Sequence, residues 1–311
     1  MTTMIRLALL PSLIALAGCS VMAVQPADTS AFDGGKAYEH VRAMVAIGPR
    51  PAGSPALEET RKYIRAQMTA IGLKTEDQAF DVETPVGKIH MVNLRTTIPG
   101  TRPERLLITG HYDTKLFRQF RFVGANDGGS SAAFLIELAR VLKGRKNPFT
   151  IELVFFDGEE ATLPEWDVKN TDHTYGSRYY AQTAKRTGDL ARIKAMILVD
   201  MIGDRGLNIR RESYSTSWMT DIIWTAARAN GYGDSFPNES MAVEDDHMTF
   251  LELGVQAVDI IDLDYGPPAA PYWHTPEDTL DKVSARSIEA VGRTLVAALP
   301  KIEAKLLAPS K

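Results

Sequence analysis

Four compact apolar runs punctuate the chain from residue 105 onward: RLLITGHYD, IELVFFDGEE, AMILVDMIGD and QAVDIIDLD. Each is short and unalternating, as a strand buried on both faces reads, and each runs into acidic or imidazole side chains. Between them SSAAFLIELARVL, YGSRYYAQTAKR and TSWMTDIIWTAARANG carry apolar residues at helical spacing. That alternation predicts an α/β fold, a three-layer sandwich with a mostly parallel central sheet and helices on both faces. Upstream, KAYEHVRAMVAIG and PALEETRKYIRAQMTAIG read as two helices, each stopped by a glycine. QAFDVETPVGKIHMVNLRTTIPG reads as a hairpin around Pro85 and Gly87, which makes the sheet mixed. SARSIEAVGRTLVAALPKIEAKLL closes the chain as a long amphipathic helix. No repeat or second boundary interrupts the pattern, so residues 35–311 are expected to form one domain.

The N-terminus follows a different grammar. MTTMIRLALLPSLIALAGCS has an early Arg6, an apolar run from Leu7 to Ala17, and small residues before Cys19. The run is shorter than the roughly 20 apolar residues of a membrane span and suits an export signal. Leu16-Ala17-Gly18-Cys19 also resembles a bacterial lipobox, so residues 1–19 are expected to be a signal peptide with Cys19 lipidated. Residues 20–34 then serve as a tether, and the protein is expected on the periplasmic side or in the cell envelope, touching membrane only through that lipid. Cys19 is the chain's one cysteine, which removes disulfides and thiolate metal sites from consideration. The formal net charge of -4, without a basic run, excludes the electrostatic footprint of a nucleic-acid binder. Nothing in the sequence sets the oligomeric state.

In open α/β sheets the functional crevice lies beyond the carboxyl ends of the strands. There the apolar runs deliver His111 and Asp113, Glu159 and Glu160, Asp200, and, past the fourth run, His274; Asp127 lies in the loop VGANDGG that opens a helix. Singly, Asp127 is an ordinary helix cap, the glutamates a solvated pair and either histidine a structural residue. Jointly they would crowd carboxylates at one edge, where a multivalent cation is the simplest stabiliser. A donor set of His, Asp and Glu without sulfur suits Zn²⁺ better than Mn²⁺ or Co²⁺. His40, His90 and His173 have no such company.

The motifs GHYDTK, FVGANDGGSSA, FFDGEEA, VDMIGD, EDDHMTFLELGV and YWHTPEDTLD, in that order, resemble those of the zinc aminopeptidase superfamily that includes the animal-type glutaminyl-peptide cyclotransferases. RFVGAND after HYDTKLF, Trp166 with YGSRYYA, and Trp273 directly before His274 lean toward the cyclase branch. The resemblance implies Asp127, Glu160 and His274 as ligands of one zinc and Glu159 as proton shuttle. It further implies Asp200 and Asp245 as hydrogen-bonding catalytic partners, Trp166, Trp273 and His247 as substrate-binding residues, and N-terminal glutamine of peptides or proteins as substrate. The competing reading is a metallo-aminopeptidase with a second zinc on His111 and Asp200, bridged by Asp127; NDGG is closer to that form. A third reading, a non-catalytic binding lipoprotein, conflicts with the retention of every ligand and of the base. Gly110 and Ala132 stand where animal cyclases carry a disulfide, and Ala269 and Ala270 where an aromatic is expected.

Overall fold

The computed structural model describes residues 28–166, 171–269 and 271–308. The expected signal peptide, Cys19 and residues 20–27 of the expected tether lie outside them. No helix among the described residues is long and apolar enough to cross a membrane.

The hairpin forms as its pattern predicts, with β1 (Thr75–Thr84) antiparallel to β2 (Gly87–Ile98) and Thr84 opposite Gly87 across the turn. Gly87 sits at φ 116°, a backbone conformation that a side chain would strain. The four apolar runs become β3 (Arg102–His111), β4 (Phe149–Phe156), β5 (Ile193–Asp200) and β8 (Gln256–Ile261). They lie side by side and parallel, and the full order is β1-β2-β4-β3-β5-β8, with β2 antiparallel to β4. Consecutive strand residues feed opposite cores: Leu106 and Ile108 one side, Leu107 the other; Ile197 and Val199 one side, Met196 and Leu198 the other. With both faces buried, the strands have no polar alternation to show, which is why they read as continuous apolar runs.

One face is covered by α1 (Gly34–Ile47), α2 (Pro55–Ala70), α3 (Gly129–Lys143), α5 (Ser217–Ala229) and α7 (Ala285–Leu307). The other carries α4 (Tyr175–Thr187) and α6 (Asp246–Glu252). α6 is too short and too acidic for its period to be read from sequence. The same holds for the two-residue strands β6 (Arg211–Glu212) and β7 (Ser240–Met241), which pair away from the main sheet.

The folded unit starts earlier than the expected boundary at Gly35. Phe32, assigned to the tether, is fully buried and packs 5.3 Å from the ring of Phe134. It fits because α7 has Gly292 beneath it: a Cβ there would lie 2.3 Å from the Phe32 ring. Asp33 then caps α1 by accepting hydrogen bonds from the Gly35 and Lys36 amides. A lone aromatic among polar residues has no period, so its burial was invisible to the pattern.

Candidate metal centre

Parallel strands end together, and the ends of β3, β4 and β5 bring His111, Glu159–Glu160 and Asp200 to one edge of the sheet. The loop into α3 adds Asp127 and the loop after β8 adds His274. His111, Asp127, Glu159, Glu160 and Asp200 are buried, whereas the His274 side chain keeps 15% of its surface exposed and so marks the mouth of the site. His274 Nε2 lies 3.2 Å from Glu160 Oε1 and 3.3 Å from Asp127 Oδ2. On the other side His111 Nε2 lies 3.2 Å from Asp127 Oδ1 and 3.0 Å from Asp200 Oδ1. Asp127 thus divides its oxygens between two three-residue groups, Asp127–Glu160–His274 and His111–Asp127–Asp200. Within each, one donor atom per residue lies within 4.8 Å of the others. The neighbouring glutamates diverge: Glu160 faces His274, while Glu159 Oε2 turns to His111 Nδ1 at 3.6 Å.

The first group fits a divalent cation. Asp127 Oδ2 and Glu160 Oε2 are buried and make no well-formed hydrogen bond among the described residues, and a cation between them would satisfy both. Nitrogen and oxygen donors without sulfur match zinc. In the bare protein, protons do the cation's work. Burial disfavours the charged imidazole of His274, yet Glu160 and Asp127 overcome it and push the group up to about 10. Burial likewise raises Asp127, but the His111 and His274 imidazoles against its two oxygens hold it well below the usual carboxylate range. A cation held by His274 would displace its proton, so zinc affinity is expected to fall as pH falls, by about tenfold per unit for each proton released. Competition with a chromophoric chelator at pH 6 and pH 8 measures this; equal affinities would contradict it.

Several further residues hold the candidate ligands in place. Asp113 accepts the backbone N–H groups of Glu159 at 3.2 Å and Glu160 at 3.4 Å, fixing the turn that parts the two side chains. Asp278 accepts the amides of Asn126 and Asp127 and the hydroxyl of Tyr265. Burial, then Asp127, push Asp278 up to about 7. Arg50, wholly buried, donates to the carbonyls of Tyr112, Val123 and Gly124 and ties β3's end to the Asp127 loop. Lys115 Nζ donates to the Ala161 carbonyl and lies 3.9 Å from Glu160 Oε2. Asp113, expected beside His111 at the end of the first apolar run, shares its face at strand spacing, and its contribution is to the backbone of the glutamate turn. Asp278 lies four residues past His274 in YWHTPEDTLD, where the motif carried no role for it, and Arg50 comes from a distant loop and left no local signal. His274 itself sits at φ 54°, a left-handed backbone unusual for a side-chain-bearing residue and characteristic of functional sites.

The other residues singled out in the sequence fall in different places. Asp245 caps α6 and faces the cluster; burial and then Asp200 push it up to about 7. Trp273 stacks on His274 with ring centroids 4.3 Å apart, and Phe117 and Phe122 meet the same imidazole edge-on. Trp166 stacks on His173 instead, at 4.4 Å. His247, expected to touch substrate, is fully buried with Nε2 3.1 Å from Glu212 Oε2 and Nδ1 3.7 Å from Asp259. As a residue of the short helix α6 it points into the layer beneath the site, so it supports α6 rather than meeting solvent. Gly110, at the place of the cyclase cysteine, has no room for a side chain: a Cβ would lie 2.7 Å from that of Ser131.

A three-layer α/β fold carrying two carboxylate–histidine groups that share one aspartate defines the metallopeptidase-like class. Residues 93–299 match peptidase family M28, and the chain belongs to that family. It is 30% identical over 275 residues to a glutaminyl-peptide cyclotransferase-like protein of Bos taurus, covering 79% of this chain and 70% of that one. Among solved structures it is similar to a glutaminyl cyclase of an Acidobacteriales bacterium, with a TM-score of 0.83 and 39% identity over 88% of this chain and 96% of that one. It is also similar to a Zn-dependent exopeptidase of Parabacteroides distasonis, with a TM-score of 0.77 and 26% identity over 86% of this chain and 98% of that one.

Proposed function

We propose that the protein is a zinc-dependent glutaminyl-peptide cyclotransferase, converting N-terminal glutamine of peptides or proteins to pyroglutamate with release of ammonia. The observation that carries this choice over the exopeptidase is the 39% identity to a glutaminyl cyclase against 26% to the zinc exopeptidase, on the same fold and at similar coverage. Asp127, Glu160 and His274 would hold one zinc, which when bound acts as a Lewis acid on the substrate's γ-carbonyl. Glu159 accepts the proton of the attacking α-amine and returns it to the departing amide nitrogen. That shuttle needs a carboxyl closer to neutrality than a free glutamate. Burial, followed by Glu160, Asp245 and Asp246, raises Glu159 well above its ordinary value against the opposing pull of His111. Asp200 and the raised Asp245 supply hydrogen-bonding groups beside it, and Trp273 walls the mouth where the glutamine enters.

The alternative is a two-zinc aminopeptidase, favoured by the completeness of the His111–Asp127–Asp200 group. In the one-zinc reading His111 and Asp200 instead hydrogen-bond to each other and orient Asp127. Export and anchoring through a lipid on Cys19 complete the proposal, placing the enzyme in the cell envelope. A Gln peptide should release ammonia in a coupled assay, the release should stop after zinc is chelated, and zinc should restore it. Release unaffected by thorough chelation would contradict the reading.

A further inference from the structure

The NDGG loop carries a second polar side chain beside Asp127, that of Asn126, which belongs to neither metal group and is fully buried. It spans to the turn that follows Asp200 at the end of β5. Asn126 Nδ2 donates to the Met201 carbonyl at 3.1 Å, and Asn126 Oδ1 accepts the Gly203 amide at 2.6 Å. The three amides of that turn are all held by side chains: Met201 donates to Asp200 Oδ1 at 2.8 Å, Ile202 to Ser130 Oγ at 3.1 Å, and Gly203 to Asn126. Met201 sits at φ 47°, a left-handed backbone that persists in a side-chain-bearing residue only where its surroundings over-determine it. Gly203 admits no larger residue, since a Cβ would lie 2.8 Å from Asn126 Oδ1. The Asn126 amide itself donates to Asp278 at 2.8 Å, four residues past His274. Three loops, carrying Asp127, Asp200 and His274, therefore meet at Asn126.

We propose that Asn126 is a positioning residue that aims Asp200 through the strained turn at Met201. The inference rests on the cyclotransferase reading, in which Asp200 is a hydrogen-bonding group beside Glu159. Asp200 Oδ1 is met by the Met201 amide at 2.8 Å and by His111 Nε2 at 3.0 Å. The carboxylate thus takes its orientation partly from a backbone group, and Asn126 fixes that backbone at the Met201 carbonyl and again at Gly203. Without Asn126 both of those buried groups lose a partner, and the turn is free to relax toward an ordinary backbone. Asp127 keeps its own restraint, because Asp278 Oδ2 accepts its amide at 3.1 Å. The loss should therefore fall on catalysis and not on zinc.

The test is a double-mutant cycle, with kcat, KM and zinc per chain measured on a Gln peptide for the parent, Asn126→Ala, Asp200→Asn and the double variant. Asn126→Ala is expected to lower kcat by about 10- to 100-fold, the usual cost of losing a partner that orients an active group, with KM and zinc content little changed. In the Asp200→Asn background the same change should cost less than about twofold, because the group it aims is already altered. Equal losses in both backgrounds, or loss of zinc from Asn126→Ala, overturn the proposal and leave the cyclotransferase reading standing. A parent that releases no ammonia overturns both. Hydrogen exchange of the metal-free protein reads the turn without turnover: the amides of residues 201–203 should exchange about tenfold faster in Asn126→Ala than in the parent, and unchanged exchange overturns the proposal. That measurement also decides where Asp200→Asn turns over too slowly for the cycle. Should Asn126→Ala not fold, Asn126→Ser, too short to span both partners, carries the same measurements.

Discussion

Glu159→Gln lowers the rate of ammonia release by about a thousandfold while zinc stays bound. The expectation follows from the divergence of two adjacent side chains. Glu160 belongs to the Asp127–Glu160–His274 group, and Glu159 does not: its carboxylate faces His111 at 3.6 Å. An amide of the same shape fills the same space but cannot take a proton from the attacking amine, and loss of a positioned general base costs about 10² to 10⁴ in rate. Binding groups remain, so the loss should appear in kcat with KM little changed. Steady-state kinetics together with elemental analysis for zinc check both halves. A variant that keeps a tenth of its activity would remove Glu159 from the mechanism, and one that loses zinc would make it a ligand.

His274→Ala should empty the metal group and abolish turnover. In the proposed one-zinc site it removes one of three ligands, and it leaves Asp127 and Glu160 facing each other in a buried site without their shared imidazole. Changes one layer out from a metal typically weaken binding by 10- to 100-fold, so loss of a direct ligand should weaken zinc by more than about a hundredfold. His111→Ala is the informative partner. In the one-zinc reading it retains the zinc, whereas with two metals it would lose half. Zinc per chain after gel filtration in a metal-buffered solution distinguishes the cases.

The parallel sheet could be read from sequence because its strands are buried on both faces and their apolar runs have no polar alternation to confuse them. The site could be read for a related reason: parallel strands end at one edge, so ligand-type residues at successive strand ends must meet. What escaped depends on contacts with no local period. Phe32 is held by a missing side chain at Gly292, far along the chain. Arg50 and Asp278 reach the Asp127 loop from distant segments, and their value lies in the backbone groups they satisfy, which a side-chain pattern does not display. His247 misled because it belongs to an acidic motif of the cyclase resemblance. Seven residues of helix do not establish which face is buried, and only its pairing with Glu212 from β6 settles its direction.

The most direct test of the central claim is mass spectrometry of the zinc-loaded protein incubated with two peptides, one beginning with glutamine and one with leucine. The cyclotransferase reading predicts loss of one ammonia from the Gln peptide beyond an enzyme-free control, with the Leu peptide intact. Release of free leucine without enzyme-dependent ammonia loss would contradict it and make the protein a metallo-aminopeptidase.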